Sequence, residues 1–200
     1  MKEFSVERVI ALCRKGDTNA FDILAAHYGR RLYNFIYSVV GNHQSTDEVL
    51  QETFIKVFTC IKKYTRDAAF SHWLYKIAYN QCLDHIKSES RRTAREKLYC
   101  EDCYTETSDD REVEKLALRR DDQLRLVQAL QKLSEKQRTA ICLFTIGGFS
   151  IKEAGWIMGC SDGAVMSHLH RARQNLRTYL TNGFTGNDTN KKGEIIRGLS

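Results

Sequence analysis

Between Ala164 and Arg177 the chain places Ser167, His168, His170, Arg171, Arg173 and Arg177 along one helical stretch. Arginine presents a planar fork of donors that fits phosphate oxygens and the edge of guanine, while serine and histidine donate or accept at shorter reach. The chemistry these side chains offer is polyanion binding and base-edge hydrogen bonding. Bond-making chemistry finds no such set. Cys100 and Cys103 stand in a C-x-x-C spacing that could give half a zinc site or a redox pair, but no second C-x-x-C or nearby histidine completes four ligands. The other five cysteines (13, 60, 82, 142 and 160) are scattered through helical patterns and read as small, reduced core residues. No acid/base pair, nucleophile site, phosphate loop or metal cluster is recognisable, so no catalytic residue, bound metal, cofactor or small-molecule substrate is expected.

The cationic stretch needs a scaffold, and residues 150–177 supply one. Ser150 can cap a helix, and Glu153 three residues later can close a capping box. Ile151, Ala154 and Met158 recur at helical spacing, and Gly159 stands where a helix ends in the left-handed conformation. Val165, Leu169, Ala172 and Leu176 then form the buried stripe of a second helix, leaving Ala164, Ser167, His168 and Arg171 opposite. Spacing alone allows two readings: a helix-turn-helix that lays its second helix in a major groove, or an ordinary helical hairpin with a solvated basic face.

Upstream, the apolar period is helical throughout. A short amphipathic helix over 5–15 is followed by a longer one with Phe21, Leu24, Tyr28, Leu32, Phe35 and Val39 inward, closed by Gly41-Asn42. A third helix over 45–63 is expected to be capped by Ser45 or Thr46 and to bury Leu50, Phe54, Val57 and Ile61, turning Asp47, Glu48, Gln51 and Glu52 outward. After a loop at 64–69, residues 70–92 place Leu74, Ile77, Ala78, Cys82 and Ile86 inward, with aromatic and basic residues interleaved on the remaining faces. Aromatics stack on exposed bases while lysine and arginine neutralise phosphates, a mixture suited to melted DNA. Downstream, a helix over about 115–132 and one opening on a capping box at Ser134-Glu135-Lys136-Gln137 lead into the final pair.

Bulk properties agree. Proline is absent, and net charge is +6. Residues 1–95 hold 15 Lys/Arg against 10 Asp/Glu, residues 96–122 hold 5 against 10, and residues 123–200 hold 11 against 5. Two basic blocks separated by an acidic one predict two polyanion-facing surfaces joined by a flexible linker. No signal peptide or long apolar run is present, so a soluble cytoplasmic protein is expected.

Three blocks carry a resemblance. SIKEAGWIMGCSDGAVMSHLHRAR (150–173) closely resembles the promoter-reading segment of sigma-70 family factors of the extracytoplasmic-function (ECF) group, the block Leu169 to Arg173 being quite specific. Ala164, Met166 and His168 stand where that family usually has threonine, lysine and arginine. DEVLQETFIKVF (47–58) is similar to the segment that docks on the clamp coiled coil of core RNA polymerase, which implies that role for Asp47, Glu48, Gln51 and Glu52. FSHWLYKIAYNQCLDHIK (70–87) resembles the segment that melts and reads the minus-ten element. By that likeness Arg66, Trp73, Tyr75, Lys76, Tyr79, Asn80 and Lys87 would meet minus-ten DNA. Ala164, Ser167, His168, His170, Arg171, Arg173 and Arg177 would meet the minus-35 element.

The resemblance therefore implies an all-α protein of two small helical domains. A region-2-like domain would span 1–95, an acidic linker 96–118, a helix-turn-helix region-4-like domain 119–182, and a disordered tail 183–200. Its expected work is non-enzymatic: binding core RNA polymerase and promoter DNA, recognising both elements, opening the strands and initiating transcription. An anti-sigma factor, often membrane-anchored, is the further implied partner. The alternative, a conventional helix-turn-helix regulator of operators, leaves the 47–92 blocks without a role. A zinc- or thiol-dependent sensor would rest on Cys100 and Cys103 alone.

Overall fold

A computed structural model describes residues 5–65, 69–99 and 117–183. Among them the chain forms eight α-helices: α1 (Val6–Arg14), α2 (Thr18–Val40), α3 (His43–Cys60), α4 (Phe70–Tyr99), α5 (Ala117–Gln131), α6 (Glu135–Thr145), α7 (Ile151–Met158) and α8 (Asp162–Gly183). A 3₁₀ turn at Ile61–Lys63 follows α3. The expected all-α architecture is what is observed. α4 runs to Tyr99, past the expected boundary at 95. Arg66, Cys100, Cys103, most of the acidic segment and the tail beyond Gly183 lie outside the described residues.

The helices start where short polar side chains can satisfy their first free N–H groups. Ser5 accepts from the amide of Arg8, and Asp17 from that of Ala20 at 3.1 Å. At α7 the expected capping box forms: the Ser150 hydroxyl accepts from the Glu153 amide at 3.3 Å, and the Glu153 carboxylate accepts from the Ser150 amide at 2.8 Å. Two expected caps are corrected. α3 is capped by Asn42, which accepts from the Ser45 amide at 2.7 Å, so Ser45 and Thr46 lie inside the helix. Ser134 occupies the cap position of α6 but makes no capping bond with its side chain. Gly41 (φ 91°) and Gly159 (φ 66°) end α2 and α7 in the left-handed region, where a Cβ would be strained.

The inner face of α3 also differs from expectation. Thr46, Val49, Thr53 and Val57 are buried, while Leu50 and Phe54 sit half-buried at the edge. A threonine can occupy the interior because its hydroxyl donates to the carbonyl one turn back. Thr46 does so to Asn42 at 2.6 Å and Thr53 to Val49 at 2.7 Å. The polar cost that would have kept them outside is removed locally.

The first unit, α1 to α4, closes around Leu24, Leu32, Phe35, Ile36 and Leu74; the second, α5 to α8, around Ile141, Leu143, Ile157 and Leu176. The two are packed together, α4 on α7 and α2 on both α5 and α6, so one continuous apolar core runs from Val9 to Leu180. α6 lies between them and is buried over the whole run Arg138 to Leu143.

Candidate nucleic-acid and partner interface

Three helices carry the residues singled out by sequence. On α3, Asp47, Glu48, Gln51 and Glu52 are all exposed on the first turns. The face does not stop there. Ile55, one turn beyond Gln51, is 57% exposed and Phe58 is 47% exposed, so a carboxylate-amide band runs into an apolar one. Sequence reading missed these two because Phe58, like Ile55, fits a core pattern when read alone. Their spacing of four and seven from Gln51 was the available signal. Phe58 is steadied by an edge-on contact with Phe21, ring centroids 5.2 Å apart.

On α4 the expected minus-ten residues divide into two faces. Trp73, Asn80 and Lys87 recur every seventh residue and so share one side of the helix. Asn80 and Lys87 are exposed, and Trp73 is half-buried against Tyr64 and Phe70 at 5.3 and 5.6 Å. Tyr75 and Tyr79, by contrast, are only 3% and 5% exposed. Burial pushes both phenols up to about 12. Tyr75 lies between Phe35 of its own unit and Phe149 of the second, with ring centroids at 5.2 and 4.8 Å. Lys76 turns the same way: its ammonium donates to the Trp156 carbonyl at 3.0 Å and sits 4.2 Å from the centre of the Trp156 ring.

On α8, Val165, Leu169, Ala172 and Leu176 are buried as expected, which turns the opposite side outward. Ser167, His170, Arg171 and Arg177 are exposed; Ala164, His168 and Arg173 are half-exposed. The Arg173 guanidinium rests 5.4 Å from the Phe144 ring, which directs it along the surface. Partial desolvation, then Lys136, then Arg171 hold the His168 imidazole below its ordinary 6.5, so it is neutral at pH 7. Lys136 enters from the first turn of α6 and adds a cation that no pattern within α8 reveals.

Among the described residues no three His, Cys, Asp or Glu side chains come together to hold a metal ion, and no helix is long and apolar enough to cross a membrane. The described cysteines are all free. Burial pushes the thiols of Cys82 and Cys142 up to about 12, which leaves them protonated and poorly nucleophilic.

The chain was then compared with known proteins. Residues 24–92 match Sigma-70 region 2, and residues 123–176 match Sigma-70 region 4. The chain is 33% identical over 174 residues to the RNA polymerase sigma-H factor of Pseudomonas aeruginosa, covering 84% of this chain and 88% of that protein. It is 29% identical to the ECF RNA polymerase sigma factor SigW of Bacillus subtilis, covering 89% and 98%. Among solved structures it resembles CnrH in complex with the cytosolic domain of CnrY (TM-score 0.64, 27% identity, 88% of this chain and 97% of that one). It also resembles the sigma factor RpoE bound to the anti-sigma factor NepR from Bartonella quintana (TM-score 0.65, 26% identity, 82% and 98%). The first match spans most of α2 to α4 and the second most of α5 to α8. The chain belongs to the ECF group of sigma-70 family RNA polymerase sigma factors, which bind core RNA polymerase and direct transcription initiation at promoters.

Proposed function

We propose that this sigma factor divides its work among the three helix faces. Asp47, Glu48, Gln51 and Glu52 of α3, extended by Ile55 and Phe58, dock on core RNA polymerase. Trp73, Asn80 and Lys87 of α4, together with Tyr75, Lys76, Tyr79 and Arg66, engage the melted minus-ten strand. Ala164, Ser167, His168, His170, Arg171, Arg173 and Arg177 of α8 read or grip the minus-35 element. The observation that supports this division most is the outward position of both the α3 band and the basic side of α8, each held there by a buried stripe behind it. A mixed carboxylate and apolar face suits a protein surface rather than DNA, whereas the α8 face is cationic and lacks carboxylates between Ala164 and Arg177.

The role is one of binding and positioning, without catalysis by this chain, and it is exercised in the cytoplasm where polymerase and promoters are. An anti-sigma factor is its further partner; the likeness to RpoE solved with an anti-sigma factor supports this.

Run-off transcription with purified core enzyme tests the function as a whole. Addition of the chain should yield promoter-dependent transcripts that core enzyme alone does not make. The α3 assignment is tested by Gln51→Ala/Glu52→Ala. Both residues are exposed, so helicity should be retained while affinity for core enzyme falls at least several-fold. Unchanged affinity in the folded double variant would remove α3 from the polymerase interface.

A further inference from the structure

Among the described residues of α8, Met166 is the one large aliphatic side chain left exposed, at 52%. It is followed at steps of four, three and four by His170, Arg173 and Arg177, so these four side chains share one flank of the helix beside the buried stripe. His170 and Arg177 are exposed and Arg173 is half-exposed. The other flank carries Ala164, His168 and Arg171. After Asp162 the helix holds no carboxylate. Met166 is therefore an apolar contact point set among cations.

Its place along the helix narrows what it can touch. The Ser161 hydroxyl accepts from the Ala164 amide at 3.3 Å, which fixes where α8 begins after the left-handed Gly159. Met166 thus lies within the first two turns of the second helix, the part of a helix-turn-helix that meets base edges in the major groove. Arg173 stands two turns further on and is held along the surface by the Phe144 ring at 5.4 Å. The surrounding cations select a polyanion over an apolar protein partner. A thioether offers phosphate no donor, and its flexible chain packs well on small apolar groups. In the major groove the apolar group is the C5-methyl of thymine.

The geometry points to Met166 as a specificity-determining residue: its side chain packs on the C5-methyl group of one thymine of the minus-35 element. This deepens the reading of α8 as the minus-35 helix and rests on it. The family pattern that the sequence resembles usually has lysine at this position. A lysine there grips a phosphate whatever the base, and its contribution weakens as salt rises. Methionine exchanges that grip for a contact made only where a thymine methyl is present, and burial of an apolar group is far less sensitive to salt. The exchange adds selectivity for thymine at one position and removes one cation from the salt dependence.

The test uses the full chain bound to core enzyme. Randomised minus-35 selection first gives the preferred element, and each of its thymines is then replaced singly by deoxyuridine, which removes only the methyl group. At one position the replacement should weaken binding of the parent chain roughly fourfold, the worth of one buried methyl. Met166→Ala and Met166→Lys should be indifferent to that replacement, and Met166→Leu, which keeps an apolar side chain, should retain the sensitivity. Met166→Lys should also steepen the salt slope by about one. Met166 is exposed, so all three variants should keep the helicity of the parent chain. A preferred element without a methyl-sensitive thymine would overturn the inference, as would sensitivity that survives in Met166→Ala. Selection with Arg171→Ala separates these results from failure of the α8 reading. If that variant alters the selected element while the methyl has no effect, only the role of Met166 is lost. If it alters nothing either, α8 does not read the minus-35 element.

Discussion

If α8 reads the minus-35 element as proposed, His168 is a side chain at which its base preference should differ. It stands where the family pattern that the sequence resembles usually has arginine, and an arginine there would offer a permanent charge and two parallel donors. The imidazole offers one ring N–H, and partial desolvation, with Lys136 and Arg171 behind it, lowers its pKa and disfavours the charged form. His168→Arg should therefore change the selected base at one or two positions of the minus-35 element, with a discrimination of about 1–3 kcal/mol for a good bidentate pair. Randomised minus-35 selection in the presence of core enzyme measures this. An untouched motif would mean that α8 lies in the groove at another angle. The proton adds a sign. Because the midpoint is lowered, protonation occurs only below the ordinary 6.5, so DNA affinity of the parent chain should rise as pH falls through that lowered midpoint. The arginine variant should lack that rise. Arg173→Ala should act differently, weakening all sequences alike and reducing the salt slope by about one, as loss of a phosphate contact does. The Phe144 ring under the guanidinium favours an orientation along the backbone rather than into the groove.

At the scale of elements, the α2–α3 corner controls more than its own turn. Gly41 has φ 91°, and a Cβ there would lie 2.6 Å from Gln131 Cδ and 2.7 Å from its Nε2. Gln131 is the residue whose amide bridges to the end of α2, and its side-chain oxygen and backbone carbonyl accept from the Arg138 guanidinium. Arg138 is only 8% exposed, and burial lowers its pKa. One left-handed glycine thus leaves room for the amide whose oxygen accepts from Nη1 of a buried cation. Gly41→Ala should cost about 1–2 kcal/mol from backbone strain, with more from displacement of Gln131. Urea unfolding checks this: the midpoint should fall with the slope unchanged. An unaltered midpoint would show that Gln131 has an equally good alternative position.

At the scale of the whole molecule, the two units share one continuous apolar core. α6, expected as an ordinary helix of the second unit, is buried from Arg138 to Leu143 because α2 covers one side and α7 and α8 the others. Removing the first unit would expose the side of that helix that α2 covers. Thermal unfolding should accordingly be a single transition, with far-UV circular dichroism and tryptophan fluorescence superimposing. Fluorescence is well suited to the comparison, since Trp73 lies in the first unit and Trp156 in the second. Two separated steps would show that the contact between units is too weak to couple them.

The sequence by itself determined the helices, several of their ends and both outward surfaces. The reason is that these features depend on neighbours within a few turns. The Ser150–Glu153 box and the left-handed Gly159 follow from local hydrogen bonding, and the Val165–Leu176 stripe follows from the helical period. Family resemblance to sigma factors was legible on the same local blocks. Tertiary structure decided what depends on partners distant in the chain. Thr46 and Thr53 displaced Leu50 and Phe54 from the interior of α3, because each threonine satisfies its hydroxyl on its own helix and is small enough for close packing. Lys136 was brought beside His168 by the packing of α6 on α8. Tyr75 and Tyr79 carry an interleaved aromatic-basic pattern that suits DNA, yet both are buried, Tyr75 between Phe35 of its own unit and Phe149 of the second. A periodicity records which side of a helix is apolar or basic; it does not record what will lie against that side.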